Sequence, residues 1–317
     1  LPDGVLQTLH MSHETTALVL ADDCVDHVMF TGSVEGGVAV SRALSSRTGP
    51  KRFIGAGLEL GGNDPAYVRH DANIDFAAAN IVEGALFNSG QSCCAIERVY
   101  VHQDVYEAFI TRAVQEVSSY VLGDPRNPDT TLGPVVRTSN AASIRSTIAD
   151  AIKKGAVPHI DTAMYACDNG DSAYIAPQIL SHVDHSMALV SEETFGPCVG
   201  VMPVENDEQA IAMMNDSWYG LTASLWTNDS RTASHIADQV ETGTVFLNRC
   251  DYLDPYLAWT GIKNSGRGIT LSRLGFEQMT RAKSLHFRVG DFFRQNIVIF
   301  RRGAGIRSSF LWEHFPG

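Results

Sequence analysis

The feature that most constrains the fold is a repeated alternation of short apolar segments with segments whose apolar residues recur every three or four positions. The first kind predicts buried strands, and the second predicts amphipathic helices. Strand patterns occupy residues 26–33, 52–60, 97–101, 223–227 and 244–248, and helical patterns occupy residues 38–44, 74–86, 105–117, 139–154, 206–215 and 230–240. Strands that alternate with helices predict an α/β fold with a mostly parallel, doubly wound sheet.

The charge balance and the length of the apolar runs exclude several partners. The 317 residues carry 24 Lys and Arg against 36 Asp and Glu, which gives a net charge of −12. Such a field repels nucleic acid and anionic membrane surfaces, so neither is an expected partner. Apolar runs such as residues 17–21 and 297–300 are far shorter than the ~20 residues that cross a bilayer, so no membrane span is expected.

The cysteines indicate the redox state of the compartment in which the protein is expected, and the first residues indicate whether the sequence is part of a longer chain. Six scattered cysteines form neither a disulfide framework nor a paired zinc motif, so we expect a reducing compartment, the cytoplasm, and no metal site. The sequence opens on Leu-Pro-Asp-Gly, with no initiating Met and no signal segment. We therefore expect it to begin inside a longer chain, which leaves an upstream targeting segment open.

Two segments carry side chains suited to covalent and acid–base chemistry. Cys93 follows a helix that ends at Asn-Ser-Gly, so it lies on a turn whose backbone N–H groups can lower a thiol pKa or bind an oxyanion. The alternative is that Cys93 and Cys94 are two small buried hydrophobic residues. Glu59 lies between two leucines and next to a Gly pair, where desolvation raises the carboxyl pKa toward that of a general base. The alternative for Glu59 is an outward residue of a half-exposed strand.

Two further segments could contact a cofactor. Glu193 precedes Thr-Phe-Gly-Pro, and its carboxylate could orient a ribose hydroxyl or belong to a solvated acidic loop. The strand at residues 26–33 ends in Thr-Gly-Ser before Gly36 and Gly37. This strand–turn–helix step suits anion binding at a helix N-terminus, or it is only a tight turn.

In their order and spacing these segments resemble the NAD(P)-dependent aldehyde dehydrogenases. The motifs are Phe-Thr-Gly-Ser at 30–33, Leu-Glu-Leu-Gly-Gly at 58–62, Gly-Gln-Ser-Cys at 90–93 and Glu-Thr-Phe-Gly-Pro at 193–197, with Cys93 34 residues after Glu59. Further matches at 122–125, 132–134, 219–221 and 263–266 extend the resemblance over residues 1–288. It implies an incomplete doubly wound cofactor-binding domain joined to an α/β catalytic domain with a parallel sheet.

The resemblance also implies a reaction and a role for each matched residue. The reaction is oxidation of a small-molecule aldehyde to a carboxylic acid with NAD or NADP. Cys93 is the implied nucleophile, which forms a thiohemiacetal and then a thioester, its backbone N–H binds the oxyanion, and Glu59 is the implied base that activates water. The implied cofactor contacts are Gly32 and Ser33 at the pyrophosphate, the Leu60 carbonyl at the nicotinamide amide, Glu193 at the nicotinamide ribose and Phe195 beside the nicotinamide. Cys94 is expected to pack or to line the substrate pocket.

The same resemblance implies a division of the chain into domains and shows where the sequence differs from the family's motifs. The implied units are residues 1–61 (part of the cofactor-binding domain), 62–261 (catalytic domain), 262–288 (return segment with an oligomerisation strand at 282–288, hence a homo-oligomer) and 289–317 (an unmatched tail). Pro-Trp-Asn, which carries a second oxyanion donor, and Lys-Pro-x-Glu, which binds the adenosine ribose, do not occur in the sequence, so a truncated form is expected. Asn63 replaces the usual Lys, and Trp259 lies where Pro-Phe-Gly-Gly is usual and is expected to shape the substrate pocket.

Two other functions stay open at this point. One is a non-catalytic subunit that docks on full-length partners. The other is a Cys-dependent esterase, which would use Cys93 and Glu59 without a cofactor.

Overall fold

The structure is a computed structural model that describes residues 1–286 and 299–300. Of the tail expected at residues 289–317, only residues 299–300 are among them. The helices of the described chain are α1 (His13–Ala21), α2 (Val34–Ser45), α3 (Ile74–Leu86), α4 (Tyr106–Ser118), α5 (Thr138–Lys153), α6 (Ala188–Ser191), α7 (Asp207–Asn215), α8 (Ser230–Ala237) and α9 (Ser272–Gln278). The strands are β1 (His27–Thr31), β2 (Gly55–Glu59), β3 (Asp64–Val68), β4 (Ile96–His102), β5 (Val157–Pro158), β6 (Gln178–Ser181), β7 (Cys198–Val204), β8 (Tyr219–Gly220), β9 (Thr222–Trp226), β10 (Thr244–Leu247), β11 (Ile262–Lys263), β12 (Gly266–Arg267), β13 (Ser284–Leu285) and β14 (Ile299–Phe300).

The large sheet is mostly parallel, as the alternating sequence pattern predicts. Its seven strands lie in the order β10-β9-β3-β4-β7-β6-β5, and only the β5–β6 pair is antiparallel. Ala66 and Val68 of β3 join a core that includes residues of α3 and α4, whereas Tyr67 joins a core that includes residues of α5, α7 and α8. Both faces of the sheet are therefore covered by helices, and the expected α/β fold is confirmed.

A second, three-stranded sheet holds the end of β2. β1 pairs with β2 in parallel, with Thr31 opposite Glu59, and β12 pairs with β2 from the other side, with Gly266 opposite Glu59. Gly266 has a φ of +115°, and a Cβ there would lie 1.9 Å from the Leu58 carbonyl oxygen. Only glycine fits at this crossing. The backbone of Glu59 is consequently fixed from both sides.

The start of α2 differs from the prediction. α2 begins at Val34 rather than Val38, because Ser33 caps it: the Ser33 hydroxyl oxygen accepts a hydrogen bond from the Gly36 N–H at 3.1 Å. The glycine pair that suggested a turn therefore forms the first helical turn. A Cβ on Gly37 would lie 2.7 Å from Leu60 Cδ1, so glycine there lets α2 pack closely on the segment after β2.

Three other parts of the observed structure differ from the strand and helix patterns identified in the sequence. β3 begins at Asp64, outside the strand patterns identified in the sequence, and a register shift between Asp64 and Pro65 accommodates the missing proline N–H. The helical pattern at residues 105–117 corresponds to α4, which begins one residue later, after a 3-10 turn at Gln103–Val105. The buried strands β6 and β7 were not identified in the sequence.

The C-terminal segment bears on the expected oligomerisation strand. Within residues 282–286, β13 pairs with β14 of the same chain in antiparallel fashion, and residues 287–288 lie outside the described residues. Pairing of this segment with a second copy stays a prediction. No helix of the described chain is long and apolar enough to cross a membrane. Residues 1–286 and 299–300 contain no group of three or more His, Cys, Asp or Glu that could hold a metal ion.

Candidate active site

The Gly61-Gly62 segment, which links β2 to β3, is where the separate sequence motifs meet. A Cβ on Gly62 would lie 2.3 Å from the Cys93 carbonyl oxygen, and a Cβ on Gly61 would lie 2.1 Å from Glu193 Oε2. The Gly62 N–H also donates a hydrogen bond to Glu193 Oε1 at 3.0 Å. Segments that are far apart in the sequence thus touch one short glycine segment that begins two residues after Glu59.

The turn that carries Cys93 is tightly held. Asn88, Ser89 and Gly90 all have left-handed backbone, with φ values of 50°, 61° and 71°. The Ser89 hydroxyl donates to the Gly133 carbonyl oxygen at 2.7 Å, and a Cβ on Gly90 would lie 2.1 Å from the Gly196 carbonyl oxygen. The irregular turn expected before Cys93 is present, and it is pinned against the segment that follows Glu193. Cys93 itself is half-buried.

The surroundings of Cys93 act on its pKa in opposite directions. The neighbouring Cys94 thiol lowers the pKa of Cys93, whereas burial and the carboxylates of Glu193, Asp251 and Glu59 oppose that effect; the net direction is downward. Cys94 is buried, and its contact with the Cys93 sulfur, its burial and the Asp251 carboxylate all raise its pKa. Cys94 therefore keeps its proton while Cys93 is the more acidic thiol.

Glu59 offers one satisfied and one unsatisfied carboxyl oxygen. Its Oε1 accepts a hydrogen bond from the Thr270 hydroxyl at 3.1 Å, and its Oε2 is buried with no hydrogen-bond partner among the described residues. Burial raises the pKa of Glu59, an effect that the hydrogen bond from Thr270 partly offsets. An unpaired buried oxygen on a carboxyl group of raised pKa can accept a proton from a water molecule.

A cleft of ≈ 440 Å³ brings two of the expected cofactor contacts together. Its lining includes Ser33 at the start of α2, Glu193, Tyr219 and Asn264. Burial raises the pKa of Glu193 to about 7. Free N–H groups in the first turn of a helix bind phosphate oxygens, and a carboxylate binds ribose hydroxyls. The cleft therefore contains donors and acceptors suited to part of a dinucleotide.

The other expected cofactor contacts lie close by. The Gly32 N–H donates to the Glu59 carbonyl oxygen at 3.1 Å, which ties the end of β1 to the end of β2. Leu60 is buried, and its N–H donates to the Ser265 carbonyl oxygen at 3.1 Å. Phe195 follows Glu193 by two positions and has a left-handed backbone with a φ of 52°.

Glu97 is a residue that sequence reasoning missed. It is fully buried at the start of β4, and its carboxylate accepts hydrogen bonds from the Thr194 N–H at 2.8 Å and from the Phe195 N–H at 2.9 Å. These bonds hold the left-handed Phe195 and the loop that carries Glu193. A Glu inside a strand pattern gives no sign of this role, because the partners are backbone groups nearly 100 residues away.

An apolar wall lies beside the two cysteines. Cys94, Leu221 and Trp259 form a buried cluster against which Cys93, Phe246 and Leu271 pack. Trp259 is bound to Thr270 through two backbone hydrogen bonds of 2.8 Å each. Trp259 therefore lies in the apolar cluster beside Cys93, and its expected role in shaping a substrate pocket stays a prediction.

Gly62→Ala is expected to disturb this site strongly. The added methyl group meets a backbone oxygen, which cannot turn away, so we expect unfolding to become easier by about 1–3 kcal/mol. We also expect slower alkylation of Cys93 by iodoacetamide. Denaturant unfolding and peptide mass spectrometry measure the two effects. Gly133→Ala is the matched control, because no atom of residues 1–286 or 299–300 lies within 4 Å of its added Cβ. Equal stability of the two variants would contradict the close approach of Gly62 to Cys93.

Glu97 is expected to make stability fall as the pH rises. Burial raises the pKa of Glu97 from an ordinary 4.5 to about 8, so between these values the folded chain binds more protons than the unfolded chain. Stability from this group is complete below its unfolded pKa and is lost as the pH rises through the folded pKa, by at most about 1.4 kcal/mol per pH unit. Glu97→Gln imitates the protonated form. Its melting temperature should depend less on pH between 6 and 9 than that of the unchanged chain, and parallel curves would disprove this.

The structure is an α/β protein in which the segments that carry Glu59, Cys93 and Glu193 lie close together. The chain belongs to the aldehyde dehydrogenase family, whose model matches residues 1–285. It is 35% identical over 284 residues to an aldehyde dehydrogenase of Paenarthrobacter nicotinovorans, a match that covers 90% of this chain and 60% of the relative. It is 32% identical to an NADP-dependent succinate-semialdehyde dehydrogenase of Mycobacterium ulcerans, with the same coverage of both chains.

Solved structures agree with this assignment. An aldehyde dehydrogenase of Mycobacterium tuberculosis complexed with NAD⁺ matches with a TM-score of 0.78 and 29% identity, covering 84% of this chain and 54% of the other. An NADP-dependent glyceraldehyde-3-phosphate dehydrogenase of Bacillus halodurans complexed with NADP matches with a TM-score of 0.77 and 31% identity, covering 84% and 53%. The chain spans about 60% of the length of the curated relatives it matches.

Proposed function

We propose that the protein to which this chain belongs oxidises an aldehyde to a carboxylic acid with NAD⁺ or NADP⁺. The observation that carries the proposal is the convergence at Gly61-Gly62, where the Cys93 backbone and the Glu193 side chain meet a segment that begins two residues after Glu59. A nucleophile, a base and a cofactor cleft must lie together for this reaction, and family membership supports assigning those roles to these segments.

In the proposed reaction Cys93 is the nucleophile. Its thiolate attacks the carbonyl carbon and forms a thiohemiacetal, while the Cys93 backbone N–H stabilises the oxyanion. NAD(P)⁺ bound in the cleft supplies the hydride acceptor. Loss of hydride converts the thiohemiacetal to a thioester on Cys93. The apolar wall formed by Leu221 and Trp259 keeps bulk water from the sulfur.

Glu59 is the proposed base for the second half of the reaction. A water molecule held by the unpaired Oε2 gives a proton to Glu59 and attacks the thioester carbonyl, which releases the acid and regenerates Cys93. The raised pKa of Glu59 suits this task near neutral pH.

The remaining residues are proposed to hold the cofactor. Ser33 and Gly32 bind the pyrophosphate at the start of α2, and Glu193 binds the nicotinamide ribose. The Leu60 carbonyl meets the nicotinamide amide, and Phe195 lies beside the ring. The cleft supports this assignment through its hydroxyl, its helix N-terminus and its carboxylate. The domain division, assembly as a homo-oligomer and location in the cytoplasm are predictions of the same proposal.

The direct test uses a chimera, because the curated relatives are longer than this chain. The N-terminal region of the Paenarthrobacter nicotinovorans relative is fused ahead of Leu1, and NAD(P)H formation is followed with a panel of aldehydes that includes succinate semialdehyde. We expect aldehyde-dependent reduction of NAD⁺ or NADP⁺. A folded chimera that hydrolyses esters but reduces neither cofactor with any aldehyde would favour the esterase alternative instead.

A further inference from the structure

Asp251 accepts hydrogen bonds from both neighbours of Cys93. The Cys94 thiol donates to Asp251 Oδ1 at 2.8 Å, and the Ser92 hydroxyl donates to the same oxygen at 3.1 Å. Ser92 Oγ and Cys94 Sγ are also 3.4 Å apart. Asp251 lies after β10 and is itself left-handed, with a φ of 43°. A carboxylate from a distant part of the chain thus reaches the residues on either side of the nucleophile, without any motif that marks it.

The Cys94 thiol has a single proton, which it donates to the Asp251 carboxylate at 2.8 Å. The Cys93 sulfur, on the adjacent residue, packs against the cluster that contains Cys94 and is a second acceptor that this proton could take. The Cys94 thiol lowers the pKa of Cys93. A carboxylate is the stronger acceptor, so the contact with Asp251 draws this proton away from Cys93. A thiolate that receives a hydrogen bond forms more easily but attacks more slowly, because nucleophilicity falls with pKa.

We propose that Asp251 is a positioning residue that turns the Cys94 thiol proton away from Cys93 and thereby keeps the Cys93 thiolate reactive. The proposal rests on the proposed function of Cys93 as nucleophile. Asp251 acts through Cys94, and no contact of Asp251 with substrate or cofactor is required.

The two other carboxylates near Cys93, those of Glu59 and Glu193, differ from Asp251 in how they act on Cys93. Glu59 approaches from the end of β2 and Glu193 from the loop before β7, and both act on Cys93 through charge alone. Of these three carboxylates, Asp251 is the one that accepts a hydrogen bond from the residue next to Cys93. Its removal should therefore have two separable effects, the loss of a negative charge and the release of the Cys94 proton.

The experiment measures the pH dependence of Cys93 alkylation by iodoacetamide in the full 317-residue chain. Because Cys93 and Cys94 are adjacent and fall on one peptide, fragmentation of that peptide in the mass spectrometer assigns alkylation to Cys93 rather than Cys94. Asp251→Asn removes the charge and keeps an acceptor for Cys94, whereas Asp251→Ala removes both. We expect the alkylation pKa of Cys93 to be about one pH unit lower in Asp251→Ala than in Asp251→Asn. We also expect the limiting rate at high pH to be about threefold lower.

Repeating the measurement in chains that also carry Cys94→Ala tests whether Asp251 acts on Cys93 through Cys94. With no Cys94 proton to release, the Asp251→Ala and Asp251→Asn variants should give the same Cys93 pKa. With Asp251 intact, Cys94→Ala alone should change the Cys93 pKa less than Asp251→Ala does, because Asp251 already holds the Cys94 proton. A difference between the two Asp251 variants that persists without Cys94, or its absence when Cys94 is present, would overturn the proposal.

Ser92→Ala tests the same idea with little risk to folding. It removes the rival donor, so Asp251 Oδ1 holds the Cys94 proton more firmly and the Cys93 pKa should rise slightly. A fall would contradict the proposal. Because alkylation needs neither aldehyde nor cofactor, a failure here is distinguishable from a failure of aldehyde oxidation in the chimera.

Discussion

Replacing Cys93 by alanine is expected to lower aldehyde-dependent NAD(P)H formation by the chimera by at least about 10⁴-fold, because the covalent intermediate then has no attachment point. The fold should survive, since Cys93 is half-buried and Cys→Ala removes a single atom. Aldehyde-dependent NAD(P)H formation at saturating cofactor measures the effect, and cofactor binding, measured separately, should be unchanged.

Cys167→Ala is the matched control for this substitution. Cys167 is exposed and lies outside the site, so its variant should retain full activity. Equal rates for the Cys93 and Cys167 variants would remove the nucleophile from the proposed mechanism. Loss of activity in both would point to unfolding, which circular dichroism distinguishes.

Replacing Glu59 by glutamine is expected to separate the two halves of the reaction. Cys93 should still attack and hydride should still leave, so the first turnover gives a burst of NAD(P)H. Hydrolysis of the thioester then lacks its base, and steady turnover should fall by about 10²- to 10⁴-fold. Rapid mixing followed by steady-state measurement resolves the burst from the slow phase.

The pH profile gives a second expectation for Glu59. Water activation needs the ionised carboxylate, and burial raises the pKa of Glu59, so steady turnover should rise with pH through a pKa above the ordinary value of 4.5. Glu205→Gln, at an exposed position, is the control and should behave like the unchanged chain. Loss of both burst and turnover in Glu59→Gln would show that Glu59 acts before the thioester forms.

The fold was predictable where periodicity is strong. The helix pattern at residues 74–86 matches α3, because one apolar stripe in it faces the sheet. Predictions from the sequence pattern were wrong where tertiary contacts decide the local conformation. Asp64-Pro65 would end a strand by local preference, yet β3 starts there because its neighbours, β4 and β9, supply the ladder. Gly36 and Gly37 suggested a turn, although the Ser33 cap begins a helix before them.

The candidate site was predictable only through motif spacing. Cys93 and Glu59 stand in recognisable segments, so their nearness could be expected before any coordinates. Glu97 and Asp251 could not be found this way, because each acts through hydrogen bonds to a distant segment that no local pattern encodes. A carboxylate in a strand or loop has the same sequence signature whether it faces solvent or holds an active-site turn.

Detection of a covalent acyl group on Cys93 is the most direct test of the proposal that Cys93 is the nucleophile. The Glu59→Gln chimera is mixed with aldehyde and NAD(P)⁺, quenched in acid, digested and examined by mass spectrometry. The proposed mechanism predicts an acyl group on the peptide that contains Cys93, formed only when aldehyde and cofactor are both present. An unmodified Cys93 peptide alongside a burst of NAD(P)H, or an acyl group on any other residue, would contradict it.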